Sequence, residues 1–293
     1  MIILSIFFED FNWLITYSKI LYFSSRFFKI FFGNLFEPTR ACIIQARVGS
    51  KRLPKKILKN LDKKYNVLEY VINQLKSSKK IEKIIIATTL SKQDKIIVNF
   101  AKNYNYEYFR GSENDVLDRF YQCAKKFNLD VIVRITSDCP LIDPKIVDQV
   151  IKKFMSTNND YVTNTFPRTF PKGLDVEVFD FTVLTHMWKN AILPSEREHV
   201  TQFLHNNKKF KIGNFENKQN LSDLRWTIDY EKDYQFLCKI IQKIEKRPIL
   251  MNDVLKILDS EPELKEINSN IDPNEGLKKS QEEDEKFKKN KNI

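Results

Sequence analysis

The chain has six glycines in 293 residues, and none forms part of a glycine-rich phosphate loop. A Walker loop needs GxxxxGK followed by Ser or Thr, and a dinucleotide fingerprint needs GxGxxG; neither pattern occurs. Four cysteines, Cys42, Cys123, Cys139 and Cys238, stand far apart with no CxxC spacing, which excludes a thiolate metal cluster and reads as free thiols in a reducing compartment. No internal repeat and no nucleic-acid-binding motif is visible. The formal charge of +11 therefore does not identify a partner, because the lysines are spread along the whole chain instead of forming a basic arm.

No apolar run reaches the ~18 to 20 residues that a spanning helix needs. Residues 1–40 are dense in Phe, Ile and Leu, yet Glu9, Asp10, Lys19, Arg26 and Lys29 interrupt every run. Lys19, Arg26 and Lys29 share one helical face opposite aromatics, which suits an interfacial anchor peripheral to a membrane. No small-residue cleavage site follows, so a secretory signal is a poor fit. The competing explanation is a start codon placed too far upstream, with the protein proper opening near Ala41. The expected organisation is an extension over 1–40, one domain over 41–260 and a polar, structureless tail over 261–293, in a cytoplasmic protein.

From Ala41 short β-rich runs alternate with helical periods, the signature of βαβ units and a mainly parallel sheet. Strands are expected from Ala41 to Ala46 and at Ile81–Thr89, Tyr106–Phe109, Val131–Thr136, Tyr161–Thr165, Gly173–Phe181, Lys211–Glu216 and Leu224–Asp229. Helices are expected near Val67–Leu75, Asp94–Tyr104, Glu113–Phe127 capped by Ser112, Pro144–Met155 capped by Asp143, Phe181–Asn190, Ser195–Asn206 and Glu231–Lys246.

The first strand runs into a loop carrying Arg47, Lys51, Arg52, Lys55 and Lys56 around Gly49 and Ser50. Small residues and cations at a strand's carboxyl end suit a polyphosphate. A second strand ends at Asp138, and Leu224–Asp229 ends at Asp229. Cations for phosphates plus carboxylates for a metal point to attack on the α-phosphate of a nucleoside triphosphate, with magnesium offsetting the charge that develops. The local alternative for Asp229 is a helix N-terminal acid.

Six motifs in order carry a family resemblance: QARVGSKRLPKKIL (Gln45 to Leu58), FRGSENDVLDRF (Phe109 to Phe120), RITSDCPLIDP (Arg134 to Pro144), FPKGLDVEVF (Phe170 to Phe179), LPSEREHVT (Leu193 to Thr201) and LRWTIDYEKD (Leu224 to Asp233). The chain resembles the spore-coat polysaccharide biosynthesis protein F family, itself similar to the cytidylyltransferases that activate 3-deoxy-manno-octulosonate and sialic-acid-like sugars. The resemblance covers roughly residues 41 to 245. It implies a three-layer α/β/α nucleotide-diphospho-sugar transferase (GT-A-like) fold, CTP and a sugar or sugar acid as substrates, Mg2+ as cofactor and pyrophosphate as product. By the same resemblance Ala46, Arg47, Gly49, Ser50, Arg52 and Lys56 handle the triphosphate, with Arg47, Lys56 and Asp138 catalytic and Asp138 and Asp229 on the metal. Ser112, Asp115 and Arg119 stand where relatives read the base. Arg168, Lys172, Asp175, Glu177, Glu196, Arg197 and His199 stand at the sugar pocket. Relatives are often homodimers, although the sequence shows no interface signal.

Two positions depart from the family pattern: Lys55 stands where Gly is usual, and Ser137 where Gly is commonest. A glycosyltransferase of the same broad fold is the rival enzyme, but it would want a DxD turn, and here Asp138 is followed by Cys139 and Pro140. A non-catalytic membrane-associated scaffold would rest on residues 1–40 alone.

Overall fold

In the computed structural model, residues 38–272 and 275–291 are described; the N-terminal anchor or start-site question falls outside them. The isoleucine-rich β1 (Arg40–Gln45) lies in the middle of a seven-stranded sheet. After it come α1 (Val67–Leu75), β2 (Lys83–Thr89), α2 (Lys95–Asn103), β3 (Glu107–Gly111), α3 (Val116–Lys126), β4 (Val131–Thr136) and α4 (Pro144–Ser156). The second half adds β5 (Tyr161–Thr163), β6 (Glu177–Asp180), α5 (Phe181–Asn190), α6 (Pro194–His199), α7 (Gln202–His205), β7 (Ile212–Asn214), α8 (Glu231–Gln242), α9 (Met251–Ser260) and α10 (Glu275–Lys291).

The strand order is β3-β2-β1-β4-β6-β5-β7, with β3, β2, β1 and β4 parallel and β6 antiparallel to both its neighbours. Alternate residues of each strand face opposite layers, as the two-residue strand period requires. Cys42, Ile44, Val133 and Ile135 pack under α1, α4 and α8, whereas Ala41, Ile43, Ile85 and Ile132 pack under α3 and α5. The result is the expected three-layer α/β/α arrangement. The chain leaves β1 toward β2 and β3 and then returns to the other side of β1 as β4. That reversal opens a crevice at the carboxyl ends of β1 and β4, where open α/β sheets collect ligands. Among the described residues, no helix is long and apolar enough to cross a membrane.

Several local expectations change. Asp143 caps α4 ahead of Pro144 as expected, but α3 is capped by Asp115, whose carboxylate accepts from Asp118 N at 2.8 Å; Ser112 instead accepts from Asp115 N. The helix expected over Ser195–Asn206 breaks at Val200, which holds φ +64 between α6 and α7. Leu224–Asp229 is not a strand: its backbone bonds to Lys172 and to the Asp138 carbonyl rather than joining the sheet.

The polar segment 261–293, expected to lack structure, forms a 3-10 turn at Pro262–Ile267 and then α10. No apolar stripe announces α10, because its docked face is polar. Asp284, 7% exposed, accepts from Ser195 N at 2.9 Å and Ser195 Oγ at 2.5 Å, and Ser280 bonds His199 Nε2 at 2.7 Å.

Two predictions follow from this backbone. Lys55 is solvent-exposed and left-handed, at φ 56 and ψ 25, a backbone conformation that favours glycine, the residue the family resemblance leads one to expect there. The left-handed region costs a non-glycine residue ~1–2 kcal/mol, partly offset by the greater chain entropy glycine loses. Lys55→Gly should therefore raise the urea midpoint at unchanged m, reporting a stability gain of up to about 1 kcal/mol; a lower midpoint would mean the Lys55 side chain contributes packing that its exposure does not suggest. Asp284→Ala strands the Ser195 amide and hydroxyl, at about 1–3 kcal/mol, and should release α10. Limited proteolysis should then cut within 275–291 faster while the core stays resistant, and unchanged cutting would refute the dependence.

Candidate active site

β1 ends by binding its successor to the sheet, Ala46 N donating to Ala87 O at 3.0 Å, and the basic loop begins at the next residue. Val48 N donates to the fully buried Asp94, which also accepts from the Thr89 hydroxyl, so the loop is anchored to the end of β2. Ser50 Oγ accepts from Leu53 N at 3.4 Å and shapes the turn, while Gly49 lies against Gln93. A 3-10 turn, Lys56–Leu58, then aims Lys56 back into the crevice.

There the ammonium of Lys56 donates to Asp138 Oδ2 at 2.8 Å, Asp229 Oδ1 at 2.9 Å and Ile228 O at 2.9 Å. Burial works against this charge, but the two carboxylates outweigh it and hold the Lys56 pKa above its ordinary value. Burial likewise opposes the charge of Asp229, and Lys56, Arg52 and Arg225 overcome it, keeping that carboxyl far below the usual carboxylate range. Arg52 donates to Asp229 Oδ1 at 2.8 Å and stacks over Tyr230 with its guanidinium 5.1 Å from the ring centre. At the outer rim Arg52 also meets Glu275 of α10 at 3.4 Å, and Arg47 meets Glu198 at 3.2 Å.

Asp229 is held from behind. Arg225 spans Asp229 at 2.9 Å and the buried Asp233 at 2.9 Å, Asp233 accepts from the Asp229 and Tyr230 amides, and Asn268 closes the set at 2.9 Å. Asp94, Arg225, Asp233 and Asn268 are absent from the residues proposed on sequence. Only the four-residue spacing of Arg225, Asp229 and Asp233 inside the last motif could have signalled part of this group.

The base-reading candidates lie next to the basic loop, with Arg47 close to Arg119. Arg119 is fully buried, donates to Ser112 O at 2.7 Å and leaves its Nε and second terminal nitrogen without a partner; burial, then the nearby Arg47 charge, lower its pKa to about 10. Asp115 is an ion-pair partner of Arg197, which joins α3 to α6.

The sugar-pocket candidates divide into two groups. Arg168 and Asp175 form a two-pronged pair at 2.7 Å for each contact, and Lys172 lies within electrostatic reach of both Asp175 and Asp229, with burial lowering its pKa. Glu177 is enclosed by Arg134, Tyr161 and Thr201, and Glu196 caps its own helix through the Ile192 and Leu193 amides. Both are buried, with their carboxylates hydrogen-bonded inside the fold. His199 contacts Ser280, and burial, then Arg134, lower its pKa, so it is neutral near pH 7. Cys139 is buried beside Asp138, which raises its thiol pKa well above the ordinary value and rules out a ready thiolate.

The metal expectation can be tested on this donor set. Among the described residues, no group of three His, Cys, Asp or Glu side chains could cage a cation. Asp138 and Asp229 do aim two carboxylate oxygens at one point, now taken by the Lys56 nitrogen. One or two carboxylates completed by water and substrate phosphates is how magnesium is commonly held in nucleotide enzymes, so the pair fits that ion.

The chain is similar to several known proteins. A protein of Methanocaldococcus jannaschii, itself uncharacterized, is 40% identical over 232 residues, 78% of this chain and 94% of that protein. The spore coat polysaccharide biosynthesis protein SpsF of Bacillus subtilis is 30% identical over 230 residues, 75% of this chain and 94% of that one. A solved cytidylyltransferase structure from Leptospira borgpetersenii aligns with a TM-score of 0.76 at 34% identity, covering 80% of this chain and 99% of that chain. A family model described as cytidylyltransferase matches residues 41–267. That span contains the basic loop, the Asp138 turn and the Asp229 segment, and the chain therefore belongs to the cytidylyltransferase family.

Proposed function

We propose that this enzyme transfers CMP from CTP to a hydroxyl of a sugar or sugar acid, with Mg2+ and with release of pyrophosphate, to supply an activated sugar for a cell-surface or spore-coat polysaccharide. The observation that carries the reading is the meeting of Lys56, Asp138 and Asp229 in the β1/β4 crevice, with Arg52 on the same carboxylate. In the reaction the acceptor oxygen bonds to the α-phosphorus and the bond from that phosphorus to the α,β-bridging oxygen breaks. Pyrophosphate leaves with that electron pair, and the hydroxyl proton passes to solvent or a nearby base. Mg2+ on Asp138 and Asp229 would supply charge stabilisation at the phosphoryl oxygens.

The side chains differ in how readily they can turn to substrate. Arg47 and Glu198 are 39% and 36% exposed, and a pair of that kind exchanges at little cost. Arg52 is equally exposed, so both arginines can take phosphate oxygens. The two-pronged Arg168–Asp175 pair is stronger and more recessed, which suits a fixed wall of the acceptor pocket.

The test is pyrophosphate release from CTP, UTP, GTP and ATP with Mg2+ over a panel of 2-keto-3-deoxy acids and free sugars. CTP with one acceptor class should give release, and Asp138→Asn should lower kcat by about 10²–10³-fold. Arg52→Ala should raise the KM for CTP by roughly tenfold, the loss of a charged hydrogen bond. A folded protein that releases pyrophosphate from none of the four nucleotides would refute the assignment.

A further inference from the structure

We infer that Lys56 is the resting occupant of the metal seat, and that a divalent cation gains the Asp138–Asp229 pair only when a nucleotide draws Lys56 away. The inference rests on the cytidylyl-transfer reading for the nucleotide, but its first half concerns the nucleotide-free protein alone.

Lys56 is saturated where it stands. An ammonium has three hydrogens, and here they go to Asp138, Asp229 and the Ile228 carbonyl at 2.8, 2.9 and 2.9 Å. A second cation on the same two carboxylate oxygens would stand almost in contact with the ammonium, where like charges repel strongly. The surroundings also lack surplus negative charge. Asp138, Asp229 and Asp233 are matched by Lys56, Arg52 and Arg225, and Glu275, at the rim and 52% exposed, is largely screened by water.

A triphosphate changes both conditions. Its oxygens offer Lys56 new acceptors within reach of a flexible four-carbon stem, and they add the anionic ligands that two carboxylates cannot supply by themselves. Lys56 then passes from carboxylates to phosphates, and metal and nucleotide bind as one unit. Lys56 is thus both a phosphate ligand and the residue that keeps the seat closed to bare metal.

Mn2+ is the probe, followed by the loss of its free-ion EPR signal in full-length protein without nucleotide. Wild-type protein should leave the signal nearly intact, while Lys56→Met should bind one Mn2+ at least about tenfold more tightly, equivalent to about 1.4 kcal/mol. Adding Asp138→Ala to Lys56→Met should abolish that site, and adding CTP to wild type should create one. Wild-type protein that binds Mn2+ without nucleotide as tightly as Lys56→Met overturns the inference, and so does a folded Lys56→Met that binds none. Lys56→Gln, which keeps a polar side chain, provides the same comparison if the Met variant does not fold. CTP that fails to bind by calorimetry, while the nucleotide-free comparison holds, would defeat the cytidylyl-transfer reading and leave the closed metal seat standing.

Discussion

An ammonium with all three hydrogens committed holds three remote parts of the chain at one point. Lys56 comes from the loop after β1, Asp138 from the turn after β4, and Ile228 and Asp229 from the segment entering α8. Lys56 and Asp229 keep only 13% and 15% of their side-chain surface, so each would be stranded at considerable cost, about 3–5 kcal/mol, if its partners were removed. The sheet brings the first two segments together through the β1–β4 pairing, but nothing in the sheet holds residue 229. The ion pair and the Ile228 N to Asp138 O bond do that, which explains why Leu224–Asp229 follows an irregular path although its apolar pattern reads as a strand.

A buried charge cluster persists only when each member is satisfied. Arg225 and Asp233 meet that condition for Asp229. Asp233 sits in the first turn of α8, where the helix N-terminus favours a carboxylate, and it accepts the Asp229 and Tyr230 amides that open the helix. The helix cap and the support of the site are therefore the same residue. This also answers the local alternative for Asp229: the helix-terminal acid is Asp233, and Asp229 is released from capping to face the crevice.

The strand and the basic loop that follows it were legible because their signal is local. A β-rich strand, a small residue and five cations within ten positions lie next to one another in the chain, and strand-end placement follows from the βαβ pattern. The sugar side was harder to read because its signal is relational. Glu177 and Glu196 look like available carboxylates until Arg134, Tyr161 and Thr201 are found around one and the Ile192 and Leu193 amides on the other. Asp115 and Arg197 lie 82 residues apart in sequence and are each other's partner. No spacing rule connects them. The helix at the chain end escaped notice for another reason: sequence periodicity detects apolar faces, and α10 docks through Ser280 and Asp284.

That polar docking fits the position of α10. It bonds Ser195 and His199 on α6 at one side of the site, and Glu275 reaches Arg52 and Tyr230 at the other. An apolar seam would bind a crossing helix firmly, because burial is gained regardless of what enters the site. Hydrogen bonds and a half-exposed ion pair are worth about 0.5–1.5 kcal/mol each at most. They also involve Arg52, which is shared between Glu275 and Asp229. Arg52 thus links one end of α10 to Asp229, while Ser280 and Asp284 fix the helix to α6.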